Sequence, residues 1–259
     1  MDNSNIYERY DWESLKADDL KEKALLTRRL IPDSVKSILD VGCGNGAITN
    51  YLAEYYDVTG LDRSLKALEF VSGKKIQASA DSIPLPNNAI DMGFSSELLE
   101  HLEDEVLLKT VSELKRVSRD YILISVPNNE NPGKLSIKCP NCNHIFNSSN
   151  HLQVFTTDRF SRLFPEYELV ASTITGKKVR YYNRFLLNMK LKISPSSSWI
   201  PYFWIPESKR NAFCPACEYE FKYLYKFCLV SSIIDILNVI ISPKKPYWLI
   251  VLFKKKVDQ

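Results

Sequence analysis

Glycine is scarce in this sequence, with 8 among 259 residues. The sequence also has little excess of either charge, because it contains 34 Lys and Arg and 31 Asp and Glu. The formal net charge of +3 is too small to indicate nucleic acid as a partner. The polar N-terminal segment lacks the apolar stretch of a secretory signal, so we expect a cytoplasmic protein. Internal repeats are also absent, and the length suits one large domain or one domain with insertions.

Long hydrophobic runs are absent as well. The longest, residues 227–243, is interrupted by Asp235 and Asn238 and is shorter than the ~20 apolar residues that a membrane-spanning helix needs. A buried helix is the favoured interpretation of this stretch. A helix lying on a membrane surface is the minor alternative, supported by the lysines that follow it, and leaves a weak membrane-surface association open. The sequence does not indicate an oligomeric state.

Apolar runs alternate with segments of helical periodicity through the first half of the chain. This alternation, with strands that are almost wholly apolar, is typical of a parallel sheet covered by helices on both faces. We therefore predict an α/β fold with a doubly wound, mostly parallel seven-stranded sheet, whose last strand is antiparallel and at or near the edge. The predicted strands are residues 37–43, 57–62, 75–81, 89–96, 121–127, 167–175 and 247–255.

Changes in composition divide the chain into segments. Two polar or irregular stretches interrupt the α/β pattern after the fifth and sixth predicted strands, and each contains a pair of cysteines. Parallel strands would send both insertions out from the edge of the sheet where ligands bind, so we expect them to form a cap there. The predicted segments are an N-terminal helical segment (1–36), a cofactor-binding core (37–127), a first cap insertion (128–156), a helix and strand of the core (157–175), a second cap insertion (176–246) and a final strand with a tail (247–259).

Three of the few glycines, Gly42, Gly44 and Gly46, fall within five residues between a predicted strand and a predicted helix. Such a loop lets a ligand approach the backbone and the free N–H groups of the helix start. Two interpretations compete. The spacing of the glycines fits the dinucleotide fingerprint, with Asp62 at the distance expected for a ribose contact. Asp40 argues against it, because a carboxylate beside the loop would repel a pyrophosphate and suit a cationic amino-acid group.

Together with the downstream segment ASADSIPLPNNAIDMGFSSELLEHL, the loop LDVGCGNG resembles the class I S-adenosylmethionine-dependent methyltransferases, in particular their small-molecule group. The resemblance covers about residues 38–127 and implies the Rossmann-like methyltransferase fold, with S-adenosylmethionine as cofactor. It implies that Asp40 contacts the methionine part, Asp62 the ribose hydroxyls and Asp81 the adenine. The residues implied to bind the cofactor are Asp40, Gly42, Cys43, Gly44, Gly46, Asp62, Arg63, Asp81, Ser82, Ser96 and Glu97.

Methyl transfer needs a general base only when the acceptor is a protonated nucleophile. His101, which matches the histidine of the family's EHL element, is the first candidate, and His151 and Glu97 are the others. The resemblance favours a small molecule, or a glycan or natural-product intermediate, as the acceptor. The alternatives are an RNA- or protein-directed methyltransferase that holds its macromolecule with the cysteine-bearing cap, and a non-catalytic protein that keeps the cofactor site.

Four of the six cysteines form two Cys-Pro-x-Cys pairs. Without a secretory signal, paired cysteines favour a metal over disulfides, and two such pairs can enclose one structural Zn²⁺. The predicted zinc ligands are Cys139, Cys142, Cys214 and Cys217. His144 and His151 are alternative ligands, and separate reduced cysteines in turns are the alternative to a metal site. Cys43 and Cys228 are interpreted as packing residues.

Aromatic side chains cluster in the second insertion, in the segment WIPYFWIPE. They either line an acceptor site, where they would stack on a sugar or another planar group, or form the core of the cap. The residues concerned are Trp199, Tyr202, Phe203 and Trp204.

Overall fold

The computed structural model describes Glu8, residues 12–14 and residues 17–256. Parts of the predicted N-terminal segment and of the C-terminal tail therefore lie outside the described residues. The chain forms two compact units. The sheet unit contains the described residues up to 128, with 155–176 and 247–256, and the cysteine unit contains residues 129–154 and 177–246.

The sheet unit is built on seven strands, in the order β3-β2-β1-β4-β5-β11-β8. Strand β1 pairs in parallel with β2 and β4, β2 with β3, and β4 with β5, whereas β11 runs antiparallel to β5. The predicted seven-stranded, mostly parallel sheet is confirmed, with its last strand one position from the edge. The strands are β1 (Ser37–Val41), β2 (Asp57–Asp62), β3 (Lys74–Gln77), β4 (Ile90–Ser96), β5 (Ser118–Pro127), β8 (Tyr167–Arg180) and β11 (Lys244–Lys255).

Helices of the sheet unit bury apolar faces. The longer helix after β4 places Leu107, Val111 and Leu114 in the core, at the i, i+4, i+7 spacing of one helix face. Two of the shorter ones are capped by side chains: the Ser64 hydroxyl accepts from the backbone N–H of Ala67, and the Thr156 hydroxyl accepts from that of Arg159. The helices are α1 (Ala17–Leu30), α2 (Ala47–Leu52), α3 (Leu65–Leu68), α4 (Asp104–Val117) and α5 (Thr157–Leu163), with 3₁₀ turns at Trp12–Ser14 and Leu99–His101.

Apolar cores cover both faces of this sheet. In β1, Leu39 and Val41 belong to one core, and Ile38 belongs to the other, as alternation along a strand requires. Both faces of the central strands are therefore buried, which explains why these strands are almost wholly apolar in sequence. The carboxyl ends of the parallel strands are left as the edge where loops carry polar side chains.

The cysteine unit combines two hairpins with short helices. Its core contains Ile137, Phe146 and Leu187, together with the aromatic side chains of Trp199 and Tyr202. Two of the four clustered aromatic residues are thus core residues, whereas Phe203 and Trp204 are exposed. The elements are β6 (Ser136–Lys138), β7 (Ile145–Asn147), α6 (Arg184–Ile193), α7 (Ile200–Trp204), a 3₁₀ turn (Glu207–Lys209), β9 (Asn211–Phe213), β10 (Glu220–Lys222) and α8 (Leu229–Ile241).

Helix α8 corrects one prediction from the sequence. The stretch 227–243 is helical over Leu229–Ile241, but its polar side chains are buried and its aliphatic side chains, apart from that of Ile234, are exposed. The prediction of a buried helix is wrong because a buried lysine, Lys190, pairs with Asp235 on the inner face of the helix. Among the described residues, none of the helices has the length and apolar character needed to cross a membrane.

Candidate cofactor site and cysteine cluster

The glycine loop joins β1 to α2 through a run of left-handed backbone. Gly42, Gly44 and Gly46 have φ values of 76°, 52° and 73°, a conformation that costs other residues free energy. A Cβ at Gly42 would lie 2.8 Å from Leu98, and one at Gly44 would lie 2.8 Å from the ring of Trp12. At both positions the turn needs a left-handed backbone, and a neighbouring side chain of the protein leaves no room for a Cβ. Neither Leu98 nor Trp12 is singled out by the sequence pattern.

Asp40 lies in β1 just before this loop and is buried. Its Oδ2 accepts a hydrogen bond of 2.6 Å from the Thr49 hydroxyl, while Oδ1 has no hydrogen-bond partner among the described residues. Burial raises the pKa of this carboxyl from 3.8 to about 7, against the hydrogen bond from Thr49, which lowers it. A buried carboxylate oxygen without a donor is costly, and a cationic or hydrogen-bonding ligand would relieve that cost.

Asp62 ends β2, and backbone N–H groups hold its carboxylate. Oδ2 accepts from the N–H of Gly44 at 2.9 Å, and Oδ1 accepts from the N–H of Ser64 at 2.9 Å. Burial raises the pKa of Asp62, and these two hydrogen bonds lower it. Because Gly44 belongs to the glycine loop, its hydrogen bond to Asp62 connects the end of β2 to that loop.

Glu97 follows β4 in a left-handed conformation, with φ of 55°. Its Oε1 lies 2.8 Å from Nζ of Lys23, a lysine of α1 whose side chain is fully buried. The Lys23 ammonium also lies 4.8 Å from the centre of the Trp248 ring. Nothing in the sequence marks Lys23 as a site residue, because a lysine in an amphipathic helix ordinarily faces solvent.

The remaining predicted site residues lie in different settings. Asp81 accepts a short hydrogen bond from the Ser79 hydroxyl, and Ser82 beside it is exposed. Cys43 packs against Gly60, and burial raises the pKa of its thiol. Those of the sheet unit that are half-buried are Cys43, Arg63, Asp81, Ser96 and His101.

His151 belongs to the cysteine unit, whereas His101 belongs to the sheet unit. The His151 side chain is buried, and its Nδ1 lies 2.7 Å from Oε2 of Glu130. A carboxylate at this distance orients the imidazole ring. No sequence motif marks Glu130 as the partner of this histidine.

The four paired cysteines come together in the cysteine unit. The Sγ atoms of Cys139 and Cys217 are 3.6 Å apart, those of Cys142 and Cys214 are 3.5 Å apart, and all four lie within 4.8 Å of one another. A disulfide needs about 2.05 Å, so these are four separate thiols. Sulfur ligands of a tetrahedral Zn²⁺ lie about 3.8 Å apart, which the observed separations approach.

Both cysteine pairs occur in hairpins of the same local geometry. The N–H of Cys139 donates to the carbonyl of His144 at 2.8 Å, and the N–H of Cys214 donates to the carbonyl of Tyr219 at 3.0 Å. The residue after each second cysteine, Asn143 or Glu218, is left-handed. This repeated turn aims both thiols of a pair to one side.

The Asn141 amide lies 3.6 Å from Sγ of Cys217 and lowers the pKa of that thiol to about 6. The cluster thus contains a thiol that ionises more easily than an ordinary cysteine, and thiolates are the form that binds metals. His144, an alternative ligand, stacks on Phe146 at a ring separation of 6.0 Å.

Comparisons with known proteins agree with this fold. The profile of a family described as "Methyltransferase domain" matches residues 39–121. A phosphoethanolamine N-methyltransferase from Triticum aestivum is 34% identical over 84 residues, which cover 28% of this chain and 17% of that enzyme. The match therefore spans only a small part of that relative.

Solved structures of low sequence identity share the fold. A SAM-dependent methyltransferase from Archaeoglobus fulgidus has a TM-score of 0.55 at 15% identity, with 98% of this chain and 100% of that chain covered. Geranyl diphosphate C-methyltransferase from Streptomyces coelicolor A3(2) has a TM-score of 0.53 at 10% identity, with 91% and 77% covered. Residues 39–121 thus match a methyltransferase-domain family, and the glycine loop, Asp40 and Asp62 all lie within the matched segment.

Proposed function

We propose that the chain transfers the methyl group of S-adenosylmethionine to a small molecule. The observation that carries this proposal is the buried Oδ1 of Asp40, which lacks a hydrogen-bond donor beside a loop of three left-handed glycines. When bound, the cofactor supplies a methyl group already activated by a sulfonium. The protein's part is to bind, align and desolvate the reactants.

The residues present fit this cofactor. Asp40 Oδ1 would accept from the ammonium of the methionine part, because a buried carboxylate is the natural partner of a cation. The Asp62 carboxylate accepts from the backbone N–H groups of Gly44 and Ser64, and its remaining lone pairs would accept from the ribose hydroxyls. The other cofactor contacts that we propose are those implied by the resemblance, namely Gly42, Cys43, Gly44, Gly46, Arg63, Asp81, Ser82, Ser96 and Glu97.

A dinucleotide is the weaker candidate cofactor. Its pyrophosphate would have to approach a loop flanked by Asp40 and Asp62, and both would repel it when ionised. The name of the wheat relative supports a methyl acceptor as small and polar as phosphoethanolamine. A glycan or natural-product intermediate remains a narrower form of the same proposal.

His101 is the first candidate for a general base. Glu97 is less suited to this role, because its Oε1 is already engaged in an ion pair with Nζ of Lys23. His151, oriented by Glu130, is the second candidate. A base is required only if the acceptor carries a proton on the attacking atom.

The test is calorimetric titration of the protein with S-adenosylhomocysteine and with NAD, followed by an acceptor screen. The screen uses radiolabelled S-adenosylmethionine with phosphoethanolamine, nucleotide sugars, tRNA and protein extracts. We expect binding of S-adenosylhomocysteine and label in a small-molecule fraction. Binding of NAD alone would overturn the proposal. Label in tRNA or protein would replace the small-molecule acceptor by a macromolecule, and cofactor binding without transfer to any fraction would favour a non-catalytic protein.

We also propose that Cys139, Cys142, Cys214 and Cys217 hold a structural Zn²⁺. The support is the separation of their sulfur atoms and the matching hairpins that present them. A closed set of four sulfur ligands leaves no open position for a substrate, so this ion would stabilise the fold of the cysteine unit. Four reduced thiols also favour the cytoplasm, where disulfides are rare.

Elemental analysis tests the metal site. We expect about one zinc ion per chain, lost from a variant with Cys142→Ser and Cys217→Ser and retained by the matched control Cys228→Ser. A chelator should lower the melting temperature of the wild type and leave that of the double variant unchanged. Purified protein without zinc whose melting temperature does not respond to added zinc would contradict the proposal.

A further inference from the structure

Helix α8 has an inverted distribution of polar and apolar side chains. Its inner face carries Ser231, Asp235 and Asn238, which are buried, and its other faces carry aliphatic side chains that are exposed. The helix Leu229–Ile241 is 13 residues long, so it measures roughly 20 Å. An ordinary surface helix of a water-soluble protein has the opposite arrangement.

Hydrogen bonds within the cysteine unit hold the inner face in place. Asp235 Oδ1 accepts from Nζ of Lys190 at 2.8 Å and from the hydroxyl of Tyr182 at 2.6 Å, and its Oδ2 accepts from the N–H of Ile200 at 3.0 Å. Asn238 donates to the carbonyl of Tyr181 at 3.0 Å. Rotating the helix to bury its aliphatic side would leave these buried charges and amides without partners, at a large cost.

The outer side of α8 exposes a continuous apolar surface. The exposed fractions reach 72% at Ile240 and 53% at Ile236, values that are unusual for isoleucine. Positions 229, 233, 236, 237 and 240 follow the i, i+4, i+7, i+8, i+11 spacing of one helix face. The apolar residues exposed on the helix are Leu229, Val230, Ile233, Ile236, Leu237, Val239, Ile240 and Ile241.

Exposed aromatic residues extend this surface at the start of the helix. Phe227 is 71% exposed and Trp204 is 74% exposed. Phe203, also exposed, contacts both the Trp204 ring at 5.0 Å and the Tyr225 ring at 5.6 Å. Aromatic side chains with an apolar body and a polar edge are characteristic of the interface between lipid and water.

Most charges in two chain segments of this region are positive, although residues 207–220 between them contain three Glu against one Lys and one Arg. Residues 169–206 contain six Lys and Arg and no Asp or Glu, and residues 221–246 contain four Lys and a single acid, Asp235. That acid is buried against Lys190, whereas Lys222, Lys226, Lys244 and Lys245 are exposed. An anionic surface is the complementary partner for such a charge distribution.

We propose that α8 and the aromatic residues before it bind the surface of an anionic lipid bilayer. The helix would lie along the interface with its aliphatic face among the lipid chains and the flanking lysines at the headgroups. A lipid surface fits better than a second copy of the chain, because two copies would bring the like-charged lysines together. This inference does not depend on the proposed methyl transfer.

Flotation with vesicles tests it. The full chain is mixed with vesicles of phosphatidylcholine alone or of phosphatidylcholine with phosphatidylglycerol. We expect the protein to float with the anionic vesicles and less with the neutral ones. Ile236→Glu and Ile240→Glu should each reduce the partition coefficient about tenfold, and Lys244→Glu with Lys245→Glu should remove the preference for anionic lipid. The matched control is Leu108→Glu, a position on α4 that is 60% exposed and should have no effect.

A second measurement needs no charged substitution. Trp204 fluorescence, isolated by subtracting the spectrum of Trp204→Phe, should be quenched by brominated lipids in anionic vesicles. Each variant is also titrated with S-adenosylhomocysteine, so that a loss of folding is distinguished from a loss of vesicle binding. Absence of both flotation and quenching would overturn the proposal. So would a stable dimer in sedimentation experiments that Ile240→Glu dissociates, because a second copy would then cover the helix.

Discussion

Lys23 and Glu97 form an ion pair of 2.8 Å in which the lysine side chain is fully buried and the glutamate side chain keeps 32% of its exposure. The pair joins α1 to the segment after β4. It also engages Glu97, one of the acidic residues implied to bind the cofactor, so Asp40 is the stronger candidate for the partner of the cofactor's ammonium.

Replacing Lys23 should therefore destabilise the protein. We expect Lys23→Met to lower the free energy of unfolding by about 1–3 kcal/mol, because it leaves Glu97 without its partner while solvent compensates in part. Adding Glu97→Gln should recover part of the loss. Urea denaturation measures both, with Lys21→Met on the exposed side of α1 as the control. Equal stability of Lys23→Met and the wild type would show that the ion pair contributes nothing.

The raised pKa of Asp40 predicts a dependence of stability on pH. Because the folded protein holds this proton up to a pH of about 7, whereas an ordinary aspartate releases it near 3.8, the contribution of Asp40 to stability is greatest at low pH and is lost as the pH rises between these values. The loss is up to about 4 kcal/mol. The free energy of unfolding is measured against pH for the wild type and for Asp40→Asn, and the difference between the two curves isolates the contribution of Asp40. A difference that does not change with pH would contradict the prediction.

The affinity for the cofactor should rise with pH, whereas the contribution of Asp40 to stability falls. If the Asp40 carboxylate receives the ammonium of the ligand, the affinity for S-adenosylhomocysteine rises as the pH passes through about 7 and Asp40 ionises. Calorimetric titration of the wild type and of Asp40→Asn over this range measures the effect. An affinity of the wild type that is independent of pH would place the ammonium elsewhere.

Asp62 should be essential for binding the ribose. We expect Asp62→Asn to weaken the affinity for S-adenosylhomocysteine at least about tenfold, because it removes a charged acceptor and turns one amide N–H against a backbone donor. Asp57→Asn, an exposed aspartate at the other end of β2, is the matched control and should bind normally. Unchanged affinity in Asp62→Asn would move the ribose away from this strand.

Gly176 lies in β8, the edge strand of the sheet unit, and packs against the ring of Trp248. It has a φ of 86°, and an added Cβ would overlap the Trp248 ring. We expect Gly176→Ala to lower the free energy of unfolding by about 2–4 kcal/mol, from the left-handed backbone and the overlap together. Gly73→Ala, where a Cβ meets nothing within 4 Å, should change it little. Denaturation curves of the two variants decide the matter.

Much of the sheet unit could be predicted from the sequence, because local patterns specify it. The apolar runs identify the buried strands, and their alternation with helical segments indicates the parallel order. The position of Asp62 at the end of β2 also follows from the pattern. The cysteine spacing likewise predicts two pairs of thiols that can share one metal ion.

Other features depend on contacts between residues far apart in the chain, which no local pattern encodes. The sequence pattern predicts that Lys23 faces solvent, and only the fold brings Glu97 against it. The pattern explains Gly42 and Gly44 by the approach of a ligand, and only the fold shows that Leu98 and Trp12 also occupy the space beside them. The orientation of α8 is the clearest case. Its composition predicts burial, but the pairing of Lys190 with Asp235 decides which side faces inward, because leaving a buried charge without its partner costs more than exposing aliphatic side chains.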